Sequence, residues 1–380
     1  MIKRLAIVAT HPIQYASPLF RLLSERGNIA IKVFYTWEKG SAEFDKDFGK
    51  KITWDIPLLD GYGYEFSSNN GSPRRDFRGV QNPGLVKAIE DWGAQAVLVI
   101  GWNYASHLRV MRHFKGKIPV LFRGDSTLLG EQNNWKKIAR RLFLRWIYKH
   151  IDIALYVGSR NKDYFRAHGL KERQLVFAPH AIDNIRFGNA EFEKAAAERR
   201  AALGIGQDQL LVVFVGKFQA QKDPVTLVEA WKEIPEKDVH LLMVGNGELE
   251  EKVRSAAAGD DRVHFLGFQN QSVMPEIYRI GDVYCLPSVS ETWGLAVNEA
   301  MACSRAILAS DLCGCSVDLV RDGTNGFIFA AGSKEDLCAR VRLFRENKSR
   351  LREMGAASAS MIRDWSYDTL AAAIESAVGR

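Results

Sequence analysis

The sequence is poor in cysteine, and the few copies it has all lie in its second half: Cys285, Cys303, Cys313, Cys315 and Cys338. An odd number of cysteines argues against a disulfide framework, and their spacing matches no zinc-binding pattern. We therefore expect reduced thiols and a cytoplasmic location.

Long hydrophobic runs are also lacking. No apolar stretch approaches the roughly 18 residues that a membrane-spanning helix needs. The apolar residues 5–9 are too few for a signal peptide and predict a first β-strand. A chain of 380 residues exceeds what one hydrophobic core usually holds, so two domains are expected.

Acidic residues are scarce in the first half of the chain. Residues 1–190 hold 30 Lys and Arg against 17 Asp and Glu, a net charge of +13, whereas the remainder holds 22 against 28. This asymmetry indicates that the first half meets an anionic partner. Nucleic acid, an anionic membrane surface and an acidic substrate all fit that description.

Both halves alternate apolar strands with helical patterns. Strands are predicted at residues 4–9, 29–35, 96–100, 118–122 and 152–157, and again at 210–215, 239–244, 263–266, 282–286 and 306–309. Such alternation predicts an α/β protein with parallel sheets covered by helices on both faces. We expect an N-terminal domain at 1–187, a linker at 188–208, a second domain at 209–360 and a final helix at 361–380.

Polar residues follow two predicted strands of the first half. His11 and Gln14 lie in the loop after the first strand, and Arg123 and Asp125 follow the strand at 118–122. Open α/β sheets bind ligands at the carboxyl ends of their strands, so these side chains are candidates for substrate binding, and Asp125 for proton movement. The alternatives are structural: His11 or Asp125 would cap a helix, or Asp125 would form a salt bridge.

Residues 135–149, which read WKKIARRLFLRWIYK, form the most distinctive segment of the first half. At 3.6 residues per turn, the apolar residues Ile138, Leu142, Trp146 and Ile147 fall near one face of a helix. Six basic residues crowd the other flank without any acid: Lys136, Lys137, Arg140, Arg141, Arg145 and Lys149. Together with Trp135, the pattern fits a helix lying on an anionic membrane surface. The alternative is an ordinary packed helix with a solvated basic face.

A glycine and two lysines follow the first strand of the second half. Gly216 ends that strand, and Lys217 and Lys222 precede a helix that opens at residues 224–226. A glycine lets the backbone approach a ligand, and paired ammonium groups neutralise a diphosphate. The Walker sequence is absent, and residues 245–247 lack the third glycine of a dinucleotide fingerprint. A solvated loop is the alternative interpretation of the two lysines.

Two glutamates flank the start of a helix within residues 288–303. Glu291 precedes the helix, Gly294 lies at its mouth, and Glu299 lies about two turns inside. The N–H groups of a first helical turn attract an anion such as phosphate. Carboxylates beside phosphate would repel it unless they face neutral hydroxyls of the same ligand, a combination that a phosphorylated sugar or nucleoside offers. Alternatively, Glu291 only complements the helix dipole and Glu299 is solvated.

Together these motifs resemble the retaining glycosyltransferases of family four. The resemblance is carried, in order, by Gly216-Lys217 with Lys222, Gly245 with Gly247, Leu266-Gly267-Phe268, and Glu291 with Glu299 at a Glu-x7-Glu spacing. It is specific from about residue 205 to 330 and weak over the rest of the chain. It implies a GT-B fold, in which two Rossmann-like domains face each other across a cleft and the last helix crosses back to the first domain.

The resemblance also implies roles for individual residues. Glu299 would bind the ribose hydroxyls of a nucleoside diphosphate sugar, and Glu291 the hydroxyls of its sugar. Lys217 and Lys222 would hold the diphosphate. The other donor contacts would come from Gly216, Gly245, Gly267, Phe268, Thr292, Trp293, Gly294 and Leu295.

The sequence departs from the family in both halves. Lys217 replaces an arginine, which keeps the charge and loses the fork geometry. Thr292 and Trp293 replace Gly and Phe, so the donor pocket is expected to be reshaped. The usual Gly-Gly loop after the first strand is replaced by residues that include His11 and Gln14. Where many members have a His after the fourth strand, this chain has Arg123-Gly124-Asp125.

The implied function is sugar transfer with retention of configuration, by a hexosyltransferase that needs no metal or other cofactor. Glu291, Lys217, Lys222 and Asp125 are the catalytic candidates. The acceptor would be a glycan or a lipid-linked molecule in cell-surface polysaccharide or lipopolysaccharide biosynthesis, with the protein peripheral at the inner face of the cell membrane. The alternatives are an epimerase or phosphorylase on the same fold, and a non-catalytic basic binding protein. We expect no nucleic-acid partner, because no groove-binding motif is present.

Overall fold

The computed structural model describes residues 2–37, 44–45, 50–51, 53–72, 76–131 and 135–379, without the side chains of 44–45, 50–51 and 135–137. The chain divides into two compact units. The first unit comprises Met1–Glu43, Ile56–His180 and Tyr367–Arg380, and the second comprises Phe44–Asp55 and Ala181–Ser366.

The first half of the chain alternates strands and helices. In order these are β1 (Lys3–Ala9), α1 (Ser17–Arg26), β2 (Ile29–Tyr35), β3 (Phe44–Asp45), β4 (Lys50–Lys51), β5 (Tyr64–Phe66), α2 (Leu85–Asp91), β6 (Ala96–Ile100), α3 (Ala105–Phe114), β7 (Val120–Arg123), α4 (Trp135–Tyr148), β8 (Ile153–Tyr156), α5 (Ser159–Ala167) and β9 (Leu175–Phe177).

The second half continues the alternation. Its elements are α6 (Asn184–Gly188), α7 (Phe192–Ala202), β10 (Leu210–Val215), α8 (Pro224–Lys232), β11 (Val239–Val244), α9 (Glu250–Ala257), β12 (Val263–Leu266), α10 (Met274–Ile280), β13 (Val283–Leu286), α11 (Leu295–Ala302), β14 (Ala306–Ser310), α12 (Ser316–Leu319), β15 (Gly326–Phe329), α13 (Lys334–Glu346), α14 (Leu351–Met361) and α15 (Tyr367–Gly379).

Each unit is built on one parallel sheet, which confirms the predicted α/β class. The first sheet has the order β5-β2-β1-β6-β7-β8-β9 and the second the order β12-β11-β10-β13-β14-β15. Residues 5–9 of β1 and 210–214 of β10 are buried, as apolar runs without polar alternation require. The short edge strands β5, β9 and β15 were not predicted from the sequence.

The last helix belongs to the first unit, where it packs against α1 and β1. Arg26 of α1 makes ion pairs with Glu375 at 2.9 Å and with Asp368 at 3.1 Å. The Tyr367 hydroxyl donates to the carbonyl of Tyr15 at 3.1 Å. These contacts fix the C-terminal segment to the start of the chain.

In both sheets, chain order reverses direction between two adjacent strands. The reversal lies between β1 and β6 in the first sheet and between β10 and β13 in the second. The loops that leave the carboxyl ends of such a strand pair run to opposite sides and leave a crevice, which is where open α/β sheets bind ligands.

Candidate functional site

The loop that leaves β10 is held tightly against the loop that leaves β11. The Gly216 amide donates to the Val244 carbonyl at 3.0 Å, and the Phe218 amide donates to the Asn246 carbonyl at 3.0 Å. Gly245 has a φ of +132°, and a Cβ there would lie 2.0 Å from the Gly216 carbonyl oxygen. Only glycine fits this approach. The half-buried Lys217 is therefore presented on a fixed backbone.

Lys222 closes a 3₁₀ turn, Ala220–Lys222, immediately before α8. Pro224 begins that helix at a position where its missing N–H costs nothing. The Lys222 ammonium donates to Oε2 of Glu291, and the two side chains are only 21% and 15% exposed. The structure thus joins the lysine loop predicted from one motif to the glutamate predicted from another.

The segment that carries Glu291 is hydrogen-bonded to its neighbours on both sides. The Val289 amide donates to the Gln221 carbonyl at 3.0 Å, and the Gly314 amide donates to the Glu291 carbonyl at 3.0 Å. A Cβ at Gly314 would lie 1.8 Å from the Thr292 carbonyl oxygen, so this contact also requires glycine. Glu291 is consequently held by backbone contacts from the β10 side and the β14 side of β13.

Trp293 is buried, whereas Thr292 beside it is exposed. The indole N–H of Trp293 donates to Oδ1 of Asn298 at 2.9 Å, and the ring stacks on Trp365 with 5.0 Å between centroids. The Trp293 side chain, which replaces the Phe of the family pattern, therefore packs inside the second unit.

Gly294 caps α11 with a φ of +102°, and a Cβ there would lie 2.8 Å from Cδ2 of Leu286. The helix itself begins at Leu295, as the sequence predicted. The positive end of the α11 dipole thus lies three residues from Glu291, at the carboxyl edge of the sheet.

Glu299 is almost completely buried on α11, with 2% exposure. Its Oε2 accepts a hydrogen bond of 2.6 Å from the Tyr278 hydroxyl. The solvated alternative for this glutamate is therefore wrong. Tyr278 was not predicted as a site residue, because α10 looks like an ordinary apolar helix in the sequence.

The remaining predicted donor residues follow β12. Gly267 is exposed and has open space around it, and Phe268 is half-buried. The loops after β10, β11, β12 and β13 all leave the same carboxyl edge, since the strands are parallel. The structure thus brings the predicted donor residues to one edge of the second sheet, around the reversal between β10 and β13.

Arg123 lies inside β7, not after it as predicted, because its carbonyl accepts from the Gly101 amide and its backbone pairs with Ile100. Its side chain is 8% exposed and donates to the carbonyls of Ala178 at 2.7 Å and Pro179 at 2.9 Å. Burial lowers the pKa of the guanidinium to about 10, and Asp125 opposes this. Arg123 therefore holds the segment that leads to His180.

Asp125 lies beside His180, with 3.7 Å between the carboxylate Oδ2 and the imidazole Nε2. Burial lowers the pKa of His180, the neighbouring Asp125 carboxylate raises it, and the positive charge of Arg123 lowers it further. A carboxylate next to a neutral imidazole can orient the ring and accept or relay a proton. His180 is a site candidate that sequence reasoning did not single out.

His11 and Gln14 occupy the loop after β1, and both are half-buried. His107 of α3 is fully buried, and its ring bridges the residues that follow β2 and β6. Its Nδ1 lies 2.9 Å from the Gly101 carbonyl oxygen and its Nε2 lies 3.0 Å from the Thr36 hydroxyl. Burial lowers the pKa of His107 to about 4. No sequence signal distinguishes this histidine from a surface one.

Helix α4 has an apolar stripe that faces solvent. Ile138 is 66% exposed, Leu142 62% and Trp146 36%, whereas Ile147 is fully buried. The predicted single apolar face is therefore wrong for Ile147, which packs into the core on the opposite side. Arg112 and Lys149 lie over the Trp146 ring, at 5.6 and 5.8 Å from its centroid. The side chains predicted at Trp135, Lys136 and Lys137 lie outside the described residues.

The described part of the chain contains neither a metal-binding cluster nor a helix that could cross a membrane. No cluster of three or more His, Cys, Asp or Glu residues there is arranged to hold a metal ion. None of the described helices has the length and apolar character needed to cross a membrane. The five cysteines are buried free thiols, and burial raises the pKa of Cys303 and of Cys313 to about 12.

Residues 196–361 match the model of the family described as glycosyl transferases group 1. A D-inositol 3-phosphate glycosyltransferase of Streptomyces griseus is 31% identical over 51% of this chain and 44% of its own length. An alpha-D-kanosaminyltransferase of Streptomyces kanamyceticus is 26% identical over 60% of this chain and 61% of its own. The chain thus spans about half of the length of the relatives it matches.

Solved structures resemble the whole chain. Sucrose-phosphate synthase from Thermosynechococcus elongatus superimposes with a TM-score of 0.73 at 18% identity, over 98% of this chain and 97% of that one. HepE from Anabaena, in complex with UDP and glucose, gives 0.73 at 15% identity over 100% of both chains. WaaG, a glycosyltransferase involved in lipopolysaccharide biosynthesis, gives 0.69 at 15% identity, over 98% and 99%. These likenesses confirm the predicted GT-B fold.

Proposed function

We propose that this chain, whose residues 196–361 match the group 1 glycosyl transferases and which has the GT-B fold, transfers a sugar from a nucleoside diphosphate sugar to a hydroxyl acceptor. The proposal rests above all on the pairing of Lys222 with Glu291 at the reversal of the second sheet. A nucleoside diphosphate sugar carries hydroxyls next to anionic phosphate oxygens. The Glu291 carboxylate can accept from the hydroxyls, and the adjacent Lys222 ammonium can donate to the phosphate oxygens.

The charges of the donor site suit the leaving group. Breaking the bond between the anomeric carbon and the diphosphate leaves its electron pair, and hence negative charge, on the phosphate oxygen. Lys217, Lys222 and the amino end of α11 offer positive charge at the same edge of the sheet. Fixed positive groups of this kind stabilise the transition state because they need no reorganisation during the reaction.

Transfer would proceed with retention of configuration. The acceptor oxygen bonds to the anomeric carbon on the face from which the diphosphate departs, and the acceptor proton passes to the departing phosphate oxygen. The products are a glycoside and a protonated nucleoside diphosphate. In this scheme the phosphate acts as the base, so Asp125 and His180 of the first unit are assigned to the acceptor side. The two lysines neutralise the diphosphate, and no metal ion is required.

Glu299 and Glu291 divide the neutral part of the donor between them. Glu299 would accept hydrogen bonds from the ribose hydroxyls, while its Oε2 keeps the hydrogen bond from the Tyr278 hydroxyl. Glu291 would accept hydrogen bonds from the hydroxyls of the transferred sugar. Carboxylates accept strong hydrogen bonds from hydroxyl groups, so each would select a donor with hydroxyls in place.

The acceptor is proposed to be a glycan or a lipid-linked molecule at the inner face of the cell membrane, within cell-surface polysaccharide synthesis. The support is the exposed apolar stripe of α4, flanked by basic residues. A basic amphipathic surface binds anionic lipid through both charge and apolar contact.

The test is a donor screen on the purified chain. Calorimetry with UDP, GDP and ADP, in the presence of a chelator, should show binding of one nucleoside diphosphate. The matching nucleotide sugar should then yield a glycoside whose anomeric configuration equals that of the donor. Folded protein that binds none of the three diphosphates would contradict the proposal. If the donor is isomerised in the absence of an acceptor, the chain is an epimerase. If sugar 1-phosphate is released in a phosphate-dependent reaction, it is a phosphorylase. Binding without turnover would indicate a non-catalytic protein.

A further inference from the structure

A cavity of about 480 Å³ lies in the second unit away from the donor residues. Its walls come from α7, from α14 and from the residues just before β13 and β14. Because β13 and β14 are parallel strands, residues that precede them lie at the amino edge of the sheet, whereas Lys222 and Glu291 lie at its carboxyl edge. The two sites are thus on opposite edges of one sheet.

The lining of this amino-edge cavity is strongly cationic. Its charged members are Glu193, Arg200, Arg279, Asp282, Arg305 and Arg352. Four arginines against two acids leave a surplus of two positive charges at neutral pH. An uncompensated surplus in a concave site attracts an anion, because the field is focused where water is partly excluded.

One arginine and one acid of the lining are paired with each other and bonded to the backbone, although the buried Nε of Arg200 has no acceptor among the described residues. Arg200 donates to Oδ2 of Asp282 at 3.2 Å and to the carbonyl of Gln209 at 2.6 Å. Asp282 also accepts from the Leu211 amide at 2.9 Å. This pair is structural, and the surplus charge resides on the other three arginines.

Arg279 is the most deeply buried of these three arginines. Its side chain is 3% exposed, and its Nε lies 3.3 Å from Oε1 of Glu193, a carboxylate that is itself 55% exposed. Among the described residues, no group accepts a hydrogen bond from its Nη1, although that nitrogen is buried. A buried guanidinium with open donors is costly unless something fills them.

The neighbouring side chains add further hydrogen-bond donors to the cavity wall. Arg305 donates from Nε to the Cys303 carbonyl and from Nη1 to the Gly281 carbonyl, both at 2.8 Å, which fixes the direction of its guanidinium. Arg352 is an exposed residue of α14. Ser304 adds a hydroxyl, and its φ of 57° is a left-handed conformation that serine seldom adopts.

We propose that this cavity binds a phosphorylated small molecule, with Arg279, Arg305 and Arg352 as its cationic contacts. Guanidinium forks match phosphate oxygens, and a phosphate monoester carries nearly two negative charges at neutral pH, which equals the surplus of the lining. The volume falls in the range of small-molecule pockets and exceeds the needs of a bare ion. The site is separate from the donor site, because α11 alone, eight residues long, spans about 12 Å between Gly294 and the cavity.

The experiment is calorimetric titration of the full chain with inorganic phosphate and with glycerol 3-phosphate, at constant ionic strength. Glycerol 3-phosphate should bind more tightly than phosphate. Arg352→Gln, an exposed substitution that spares the fold, should weaken binding of both probes about tenfold. Arg350→Gln is the matched control, since Arg350 lies two residues away, is 53% exposed and does not line the cavity. Lys222→Gln should leave the titration unchanged.

Three results would overturn the assignment. One is the absence of any binding to wild-type protein, and another is equal behaviour of Arg352→Gln and Arg350→Gln. The third is loss of binding in Lys222→Gln alone, which would place the anion at the donor site. Arg279→Gln serves as a second cavity variant, read only after circular dichroism shows that it folds, and it should weaken binding at least as much as Arg352→Gln.

Discussion

The Lys222 ammonium donates to the Glu291 carboxylate although 69 positions separate the two residues in the chain. Both side chains are largely buried, at 21% and 15% exposure, so the pair is more than a chance surface contact. The pair lies where the loops after β10 and β13 part, which is the ligand-binding position of an open α/β sheet.

Replacing Lys222 by Ala should reduce turnover by about 10²-fold or more, because the leaving diphosphate loses a fixed positive charge. It also leaves the Glu291 carboxylate beside the diphosphate without its counter-charge. Steady-state kinetics with the donor found in the screen provide the measurement. Lys232→Ala, an exposed lysine at the end of α8, is the matched control and should behave as wild type. Equal turnover of the two variants would remove Lys222 from the site.

Replacing Glu299 by Gln should raise the Michaelis constant of the donor about tenfold, since a neutral amide accepts weaker hydrogen bonds from ribose hydroxyls than a carboxylate does. The Tyr278 hydroxyl can still donate to the amide oxygen, so the melting temperature should change little. Tyr278→Phe is the comparison, because it removes the donor of the 2.6 Å hydrogen bond and keeps the carboxylate. If Glu299→Gln melts early yet binds donor normally, Glu299 is a structural residue.

The buried His107 should make the first unit sensitive to acid. Its pKa of about 4 in the folded chain lies below the ordinary 6.5, so the unfolded chain binds a proton more readily. The stabilisation is therefore present above about pH 6.5 and is lost as pH falls towards 4, by about 3 kcal/mol at most.

The measurement is urea unfolding at several pH values between 7 and 4. In His107→Asn, the free energy of unfolding should fall less steeply with acid than in wild type. His113→Asn, on the same helix but partly exposed, controls for the loss of a histidine and should keep the steeper slope. Identical slopes for wild type and His107→Asn would contradict the expectation.

The stripe on α4 should bind vesicles that contain anionic lipid and should ignore neutral ones. Each basic residue near such a surface contributes about 1 kcal/mol, and the attraction fades over a Debye length of about 8–10 Å, so binding should weaken as salt rises. Replacing Arg140, Arg145 and Lys149 by Gln should release the protein while sparing activity on a soluble acceptor.

Apolar contact can be tested separately from charge. Ile138→Asn should reduce sedimentation with anionic vesicles, because its 66% exposed side chain is available to the lipid. Ile185→Asn removes an isoleucine that is 87% exposed in the second unit and should leave sedimentation unchanged. Failure of wild-type protein to sediment with anionic vesicles at low salt would make α4 an ordinary packed helix.

The sequence alone determined the central strands and the order of the motifs. The bounds of β2, β6, β10, β11 and β12 were predicted to the residue, since strands of a parallel sheet covered on both faces are mostly apolar and that composition is a local feature. Gly216, Lys222, Glu291 and the start of α11 could be located because they follow these apolar strands along the chain. Loops at strand ends have recognisable residues whatever surrounds them.

Which residues contact each other depends on packing between elements that are distant in the chain. The edge strands β5, β9 and β15 are three or four residues long and become strands only by pairing with a neighbour, so no local pattern reveals them. Ile147 and Ile138 are the same residue type on the same helix, yet Ile147 is buried in the core and Ile138 is exposed, because only Ile147 faces the sheet-side packing. The pair Lys222–Glu291 forms because the parallel sheet brings the ends of β10 and β13 together. The pair Tyr278–Glu299 forms because α10 packs against α11, and His107 reaches Thr36 because α3 packs against β6.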